Sequence, residues 1–320
     1  MNRDQALSKM ISPGMKRPTA YRQGIVQIWV TRACDLSCFN CTQLSNLKSH
    51  PGQMHITPDQ FEIAVKSLQN HWGVAAIFGG NPAVHPKFPE LCEILRKYIP
   101  KERRGLWCNH PRGHGAICRE TFNPSVSNLN VHLSVEAFEE FKRDWPECNP
   151  VGLREDSRHA PCFIAMKDVV KDEATRWDLI SSCDVNHLWS SMICVVNGEV
   201  KGFFCEIAGS MAMIHANDEI AWEDGGLEIL DYKEKNGREW WEEPMTVFGP
   251  QVDQACHNCS VPLRIRGELA IHGNKEQVSK THAGIYKPKV KNREIEIVAN
   301  LIQIGGTVKH VTSYLGNAKQ

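Results

Sequence analysis

The 320-residue chain has no excess of charge of either sign, because 37 lysines and arginines balance 37 aspartates and glutamates. A neutral chain has no general basic field that would draw in nucleic acid or an anionic membrane. Its apolar runs stay well below the roughly 18 residues that a membrane span needs. The first 22 residues lack the apolar core of a secretion signal. We therefore expect a cytoplasmic protein with no membrane partner and no general nucleic-acid binding.

Cysteine, by contrast, is abundant, with 13 residues in the chain. Disulfides are rare in a reducing compartment, so clustered thiols there indicate metal or redox chemistry. Some of the cysteines are scattered, as small buried hydrophobic residues often are: Cys92, Cys108, Cys118, Cys148, Cys162 and Cys183. The others fall into spaced sets: Cys34, Cys38 and Cys41, then Cys194 and Cys205, then Cys256 and Cys259.

Strands and helices alternate along the first 190 residues. The apolar, β-branched stretch Ile25–Thr31 predicts a buried strand. Thr57-Pro58-Asp59-Gln60 predicts a helix start, with a capping Thr and a Gln three residues later. Further strands are predicted at 74–78, 105–108, 129–134, 162–165 and 185–189, and further helices at 88–98, 136–141 and 173–181. This alternation predicts an α/β fold with a parallel sheet, here a partial barrel of six βα units.

The pattern changes near residue 190, where a β-hairpin is predicted over 193–206. Two β-rich runs flank the turn pair Asn197-Gly198, and Cys194 and Cys205 stand near the ends of the hairpin. We predict four regions: an N-terminal lead (1–22), the barrel (23–190), a smaller cluster-binding domain of a hairpin and helices (191–262) and a C-terminal extension (263–320).

Unusual residues follow the predicted strands where each strand ends. In parallel α/β folds the chemistry lies at the carboxyl ends of the strands. The first strand is followed by the cysteine triple, the second by Gly79-Gly80-Asn81-Pro82, the third by Cys108-Asn109 and the fourth by Ser134. We expect these stretches to meet on one rim. His110, Arg112 and His114 are weaker candidates for the same pocket, because charged loop residues are usually solvated.

Three cysteines in one short loop do not match a structural zinc site, which takes four ligands, commonly in two pairs. The set Cys34, Cys38 and Cys41 has a gap of three residues and then a gap of two. Three thiolates can hold three irons of a four-iron cluster and leave the fourth iron open to a small chelating ligand. The alternative is a zinc site completed by His50, His55 or a distant thiol.

A Cys-x₃-Cys-x₂-Cys loop after the first strand of a partial barrel resembles the radical S-adenosylmethionine (radical SAM) superfamily. The resemblance implies that Cys34, Cys38 and Cys41 hold a [4Fe-4S] cluster whose open iron binds the amino and carboxylate groups of S-adenosylmethionine. It further implies that one electron cleaves the cofactor and that a 5′-deoxyadenosyl radical then removes a hydrogen atom from the substrate. The electron would come from a reductant such as flavodoxin or ferredoxin.

The same resemblance implies residues that contact the cofactor. Gly79, Gly80, Asn81 and Pro82 stand where the family has Gly-Gly-Glu-Pro, whose backbone contacts the methionine amino group, so this chain has Asn in place of Glu. Asn40 stands where the family often has an aromatic residue. The remaining implied contacts are Asn109 and Ser134. The alternative for Asn109 is a turn residue, and the alternative for Ser134 is a helix cap.

The later cysteines, Cys194, Cys205, Cys256 and Cys259, can satisfy a metal completely. Read alone, they indicate a zinc ribbon with a long insert. After a radical SAM barrel, their order resembles the twitch module, a shortened form of the SPASM extension. That resemblance implies a second, auxiliary [4Fe-4S] cluster with no vacant site for substrate.

We expect the substrate to be a polar small molecule such as a sugar or an aminocyclitol. The first hypothesis is epimerisation, in which a cysteine thiol returns a hydrogen to the opposite face of the substrate. Cys108 is the leading donor candidate, followed by Cys183 and Cys162, and the alternative for each is a buried structural cysteine. Other hypotheses are dehydrogenation of an alcohol with the auxiliary cluster as electron acceptor, ribosomal peptide modification, and a non-catalytic electron-transfer or zinc-stabilised scaffold.

Overall fold

The computed structural model describes residues 1–15, 24–38, 41–45, 53–153, 164–215 and 225–263, and the backbone of three strands beyond residue 294. The predicted α/β class is confirmed. The strands of the main sheet are β1 (Ile25–Thr31), β2 (Ala75–Gly79), β3 (Arg104–Leu106), β4 (Ser190–Val196), β5 (Glu199–Phe203) and β6 (Leu227–Glu228). A second, antiparallel sheet contains β7 (Ile295–Val298), β8 (Leu301–Ile304) and β9 (Thr307–His310).

Helices connect and cover the strands of the main sheet. In chain order they are α1 (Arg3–Lys9), α2 (Pro58–Ser67), α3 (Phe88–Tyr98), α4 (Gly115–Thr121), α5 (Val135–Asp144), α6 (Met166–Val169), α7 (Glu173–Ser181), α8 (Asp184–Leu188), α9 (Glu206–His215), α10 (Tyr232–Asn236) and α11 (Gly249–Ala255). The predicted start of α2 is confirmed. Thr57 Oγ1 accepts a hydrogen bond from the Gln60 amide at 3.2 Å, and Gln60 Oε1 accepts one from the Thr57 amide at 3.0 Å.

The main sheet has the order β3-β2-β1-β4-β5-β6, and its core is the parallel part. β1 pairs in parallel with β2 on one side and with β4 on the other, and β2 pairs in parallel with β3. All seven residues of β1 are buried, as expected for a strand between two neighbours and covered on both faces. Two parallel bridges, Trp107 with Asn128 and Asn130 with Val151, continue the arrangement beyond β3.

The last predicted strands of the barrel differ from the structure. The strand predicted at 185–189 is wrong, because Asp184–Leu188 is helical and the strand begins at Ser190. The β-branched run that drives strand formation comes later, in the SSMICVV segment of β4. In the predicted strand 129–134 only Asn130 bridges a neighbour. Of the stretch 162–165, residues 162–163 lie outside the described residues and residues 164–165 belong to no strand.

The hairpin predicted after residue 190 is confirmed as β4 and β5. Its turn residues Asn197 and Gly198 have φ values of 52° and 84°, the left-handed pair that a two-residue turn requires. Since β4 also pairs with β1, the hairpin adds to the sheet of the preceding units rather than starting a sheet of its own. The predicted boundary between the barrel and the smaller domain, at residues 190 and 191, falls inside β4.

The N-terminal segment, residues 1–15, is held by a buried amide from α8. Asn186, only 1% exposed, accepts a hydrogen bond from the Ile11 amide through Oδ1 and donates one to the Ile11 carbonyl through Nδ2, both at 2.9 Å. Arg3 of α1 pairs with Asp253 of α11 at 2.7 Å in a more exposed position. Exposed ion pairs contribute little, so the Asn186 contact is the stronger of the two.

Replacing Asn186 by Ala should therefore lower the free energy of unfolding by about 2 kcal/mol, because both backbone groups of Ile11 lose their partner. Urea denaturation of the full chain measures this change. Asn236→Ala is the matched control, since Asn236 is exposed and donates only to the Tyr232 carbonyl of its own helix. Equal stability of the two variants would contradict the role given to Asn186.

Candidate functional site

The cysteine loop and the glycine turn are joined directly by their backbones at the carboxyl ends of β1 and β2. The Gly80 amide donates to the Thr31 carbonyl and the Asn81 amide donates to the Ala33 carbonyl, each at 2.8 Å. Ala33 immediately precedes Cys34. The predicted meeting of these two stretches on one rim is thereby confirmed.

The glycines of this turn are required by the closeness of that approach. A Cβ on Gly79 would overlap the Thr31 carbonyl oxygen, and a Cβ on Gly80 would overlap the Ala33 carbonyl oxygen. Gly79 also has a φ of 152°, which a residue with a side chain rarely adopts. Two glycines in sequence thus allow the β2 turn to lie against the backbone that leads into the cysteine loop.

The three cysteines of the loop lie within electrostatic reach of one another. Burial first, and then the neighbouring thiols of Cys41 and Cys34, raise the pKa of the Cys38 thiol to about 12. The loop is tightly turned, with the Cys41 amide donating to the Cys38 carbonyl at 3.3 Å. The Leu36 amide approaches Cys34 Sγ at 3.4 Å, a contact of the kind that tunes a metal-bound sulfur. Asn40 lies outside the described residues.

Cys108, which follows β3, is part of the same rim but is not presented as an open thiol. It is only 5% exposed, and its Sγ donates to Asn81 Oδ1 at 3.1 Å, with the His110 carbonyl 3.2 Å away. Burial raises its pKa to about 12, so the thiol is neutral at physiological pH. Its predicted role as a hydrogen donor is untested.

An acidic residue inside the cysteine loop is also bound to this rim. The carboxylate of Asp35 accepts hydrogen bonds from Arg112 and from Asn81 Nδ2, the latter at 2.6 Å. Burial raises the pKa of Asp35, but the hydrogen bonds from Arg112 and Asn81 outweigh it and hold that pKa below its usual value. Sequence reasoning missed Asp35, although an acidic residue between two cysteines and a basic loop after the third strand offered a signal for a pair.

The remaining predicted cofactor contacts differ in what the structure gives them. Ser134 Oγ accepts a hydrogen bond from the Ala137 amide at 3.1 Å, so the helix-cap alternative is realised at the start of α5. Asn109 Oδ1, in contrast, is buried without a hydrogen-bond partner. A bound polar ligand would satisfy such an acceptor. Just before Ser134, His132 and Leu133 have φ values of 46° and 69°, strain of a kind that clusters at functional sites.

A second group of thiols lines an apolar cleft with about 360 Å³ of empty space, part of it open to solvent. The thiols come from three separate places in the chain: Cys183, Cys205, and the pair Cys256 and Cys259. Cys183 and Cys205 stand just before the first residues of α8 and α9, and the other two follow α11. We call these four residues the cleft cysteines.

Cys194 is not among the cleft cysteines, although the sequence pattern grouped it with three of them. It lies in β4, fully buried, with its Sγ 3.7 Å from the Gly209 carbonyl of α9. Cys183, which the sequence pattern treated as scattered and as a weaker hydrogen-donor candidate, lies in the cleft instead. Of the two hairpin cysteines, Cys205 therefore lines the cleft and Cys194 does not, and Cys183 before α8 lines it as well.

Both thiol groups suit iron or zinc by their chemistry, since thiolates are soft ligands that both metals accept. Burial raises the pKa of Cys256 well above its ordinary value, and the thiols of Cys183, Cys205 and Cys259 raise it further. Among the described residues, no three or more side chains of His, Cys, Asp or Glu already stand at metal-binding distances. A metal bound at either group would therefore require its thiols to draw together as they lose their protons.

Comparison with known proteins leaves the family of the chain open. No family model matches the sequence, and no curated protein matches it. A crystal structure of BtrN in complex with AdoMet and 2-DOIA aligns over 77% of this chain and 94% of that chain, with 12% identity and a TM-score of 0.45. A selenomethionine form of BtrN in an open conformation aligns over 79% and 93%, with 11% identity and a TM-score of 0.37. These scores are too low to establish a common fold.

In the part of the chain that the structure describes, none of the helices combines the length and the apolar character needed to cross a membrane. Cys162, one of the weaker candidates for a hydrogen donor, lies outside that part.

Replacing Gly80 by Ala should displace the cysteine loop, because the added methyl group would overlap the Ala33 carbonyl. Reconstituted protein should then hold clearly less iron, and unfolding should be easier by about 1–3 kcal/mol. Iron analysis and thermal denaturation measure the two effects. Gly237→Ala is the control, since nothing lies within 4 Å of its Cβ position and its positive φ alone costs about 1 kcal/mol. Normal iron binding by the Gly80 variant would contradict the need for a glycine there.

Proposed function

We propose that the protein is a radical SAM enzyme that acts on a polar small molecule. One observation carries the proposal. The loop with Cys34, Cys38 and Cys41 follows β1, and the backbone just before the first of these cysteines accepts hydrogen bonds from the amides of Gly80 and Asn81 after β2. Three thiols on the carboxyl rim of a parallel sheet, beside a glycine turn that exposes main-chain groups, can hold a cluster and a chelating cofactor next to each other.

In this proposal the loop cysteines hold a [4Fe-4S] cluster with one iron open. Bound there, the cluster would supply the electron that cleaves S-adenosylmethionine to a 5′-deoxyadenosyl radical. The residues Gly79, Gly80, Asn81 and Pro82 would contact the methionine part of the cofactor through their backbone, and Asn109 offers a buried acceptor without a partner. A flavodoxin or ferredoxin would be the source of the electron.

We further propose that the cleft cysteines hold an auxiliary [4Fe-4S] cluster. Four thiols around one apolar cleft can close all positions of a cluster, so substrate would not bind to it. The apolar lining shields such a centre from water. Cys205 lies at the start of α9, where the partial positive charge of the helix end favours a thiolate.

Among the reactions open to such an enzyme, the geometry favours dehydrogenation of an alcohol, such as that of a sugar or aminocyclitol. The 5′-deoxyadenosyl radical would take a hydrogen atom from the carbinol carbon, the hydroxyl would then lose its proton, and one electron would leave to give the ketone. An auxiliary cluster at the cleft would supply the acceptor for that electron. Epimerisation needs an unligated thiol, but Cys108 is buried and hydrogen-bonded and Cys183 lies among the cleft cysteines.

Anaerobically reconstituted protein should convert S-adenosylmethionine to 5′-deoxyadenosine when dithionite is added, and Cys34→Ala should reduce the product to background. Liquid chromatography measures the nucleoside. Cys92→Ala is the control, because this buried cysteine of α3 should leave cleavage unchanged. Absence of 5′-deoxyadenosine from wild-type protein whose loop cluster is assembled would exclude the proposed enzyme class. Product mass then separates the reactions, since oxidation removes two mass units and epimerisation in heavy water adds deuterium.

Cys183→Ala should abolish the auxiliary cluster and lower the iron content from about eight to about four atoms per chain, whereas Cys194→Ala should keep both clusters. Metal analysis by mass spectrometry and the iron–sulfur absorption of the reconstituted proteins make the comparison. Loss of the auxiliary cluster in Cys194→Ala but not in Cys183→Ala would instead indicate that Cys194 is the ligand. Zinc at the cleft in native wild-type protein would refute the auxiliary iron–sulfur cluster.

A further inference from the structure

The side chain of Asn81, in the turn after β2, connects that turn to the cysteine loop and to the residues after β3. It is fully buried, and its Nδ2 donates to Asp35 Oδ2 at 2.6 Å and to the His110 carbonyl at 3.0 Å. Its Oδ1 accepts from the Ala83 amide at 3.2 Å and from Cys108 Sγ at 3.1 Å. A primary amide has two donors and an oxygen with two lone pairs, so these four bonds use its full capacity.

The bond between Asn81 and Asp35 reaches into the cysteine loop itself, because Asp35 directly follows Cys34. The other carboxylate oxygen of Asp35 accepts from Arg112, whose φ is 50°. A left-handed residue other than glycine is unfavourable and persists only where its surroundings hold it. The ion pair with Asp35 helps to hold Arg112 in this conformation.

The chemistry of the pair explains why this chain has an amide at position 81. An Asp or Glu there would bring a second carboxylate against Asp35 and would remove both N–H donors. Two carboxylates this close cannot both remain charged without a large penalty. Asn81 in the Gly-Gly-Asn-Pro turn is therefore the chemically matched partner of Asp35 in the cysteine loop.

We propose that Asn81 and Asp35 form a clamp that fixes the position of Cys34 for cluster binding, which makes Asn81 a positioning residue. This inference rests on the proposed function for its role in cluster chemistry. The clamp itself is a property of the chain, so it can be measured in metal-free protein as well.

The test compares Asn81→Asp, Asp35→Asn and the double exchange D35N/N81D. The Asn81→Asp variant should expose the loop, so that iodoacetamide labels Cys34 of metal-free protein about tenfold faster than in wild type. In the double variant an amide again faces a carboxylate, but the donor to the His110 carbonyl and the charge that faces Arg112 stay lost, so labelling should fall from the Asn81→Asp rate to about the rate of Asp35→Asn. Asp35→Asn keeps an acceptor for Asn81 but loses the charge that faces Arg112, so it should have an intermediate effect. Peptide mass spectrometry gives the rates.

Asn123→Asp is the matched control. Asn123 begins an Asn-Pro turn of the same kind, with its Oδ1 accepting from the Ser125 amide at 3.0 Å and its Nδ2 donating to the Glu102 carbonyl at 3.0 Å. Neither of these contacts is to a carboxylate. The same substitution there should leave Cys34 labelling within about twofold of wild type. A similar acceleration in both variants would overturn the clamp.

The second readout is the electron paramagnetic resonance spectrum of the reduced loop cluster, recorded in the Cys183→Ala background so that one cluster contributes. We expect Asn81→Asp to diminish or shift this signal and its response to S-adenosylmethionine, and D35N/N81D to restore part of both. The proposal would be overturned if Asn81→Asp did not accelerate the labelling of Cys34. It would also be overturned if labelling accelerated but the spectrum did not change in Asn81→Asp and partly recover in the double variant. If the background protein gives no response to S-adenosylmethionine, the proposed function fails, while the labelling rates still decide on the clamp.

Discussion

The candidate site depends on the close backbone approach between the β2 turn and the end of β1. Two hydrogen bonds of 2.8 Å, from Gly80 to Thr31 and from Asn81 to Ala33, hold the start of the cysteine loop against the neighbouring strand. They can form because neither Gly79 nor Gly80 has a Cβ, which would overlap the facing carbonyl oxygen. Everything proposed for the loop thiols presupposes this contact, since three cysteines on an unanchored loop would not converge.

Much of this arrangement could be predicted from local patterns. The buried run Ile25–Thr31, the capping box at Thr57 and the turn pair Asn197-Gly198 each carry a signal that neighbouring residues alone determine. The rim could be placed as well, because parallel strands end at the same edge of a sheet. The stretch 185–189 shows the limit, since a short segment with several apolar residues suits a helix as well as a strand.

Three features of the site depended on contacts that are distant in sequence. Cys194 stands near the end of the hairpin as a ligand would, but the alternation of side chains in β4 turns it towards α9. Cys183 reaches the cleft only because α8 places it beside residues more than 20 positions away. The bond between Asp35 and Asn81 is similar, as it requires the register of β1 and β2 to be known. Spacing along the chain does not encode which side of an element a residue occupies.

The central claim is that the loop cluster leaves one iron open to S-adenosylmethionine, and electron–nuclear double resonance tests it most directly. The cofactor would carry ¹⁵N in its amino group or ¹⁷O in its carboxylate, and the cluster would be reduced in protein with Cys183 replaced by Ala. We expect hyperfine coupling from both labels, because both groups would chelate the open iron. Absence of coupling with the cofactor bound, or a fourth protein ligand on that iron, would contradict the claim.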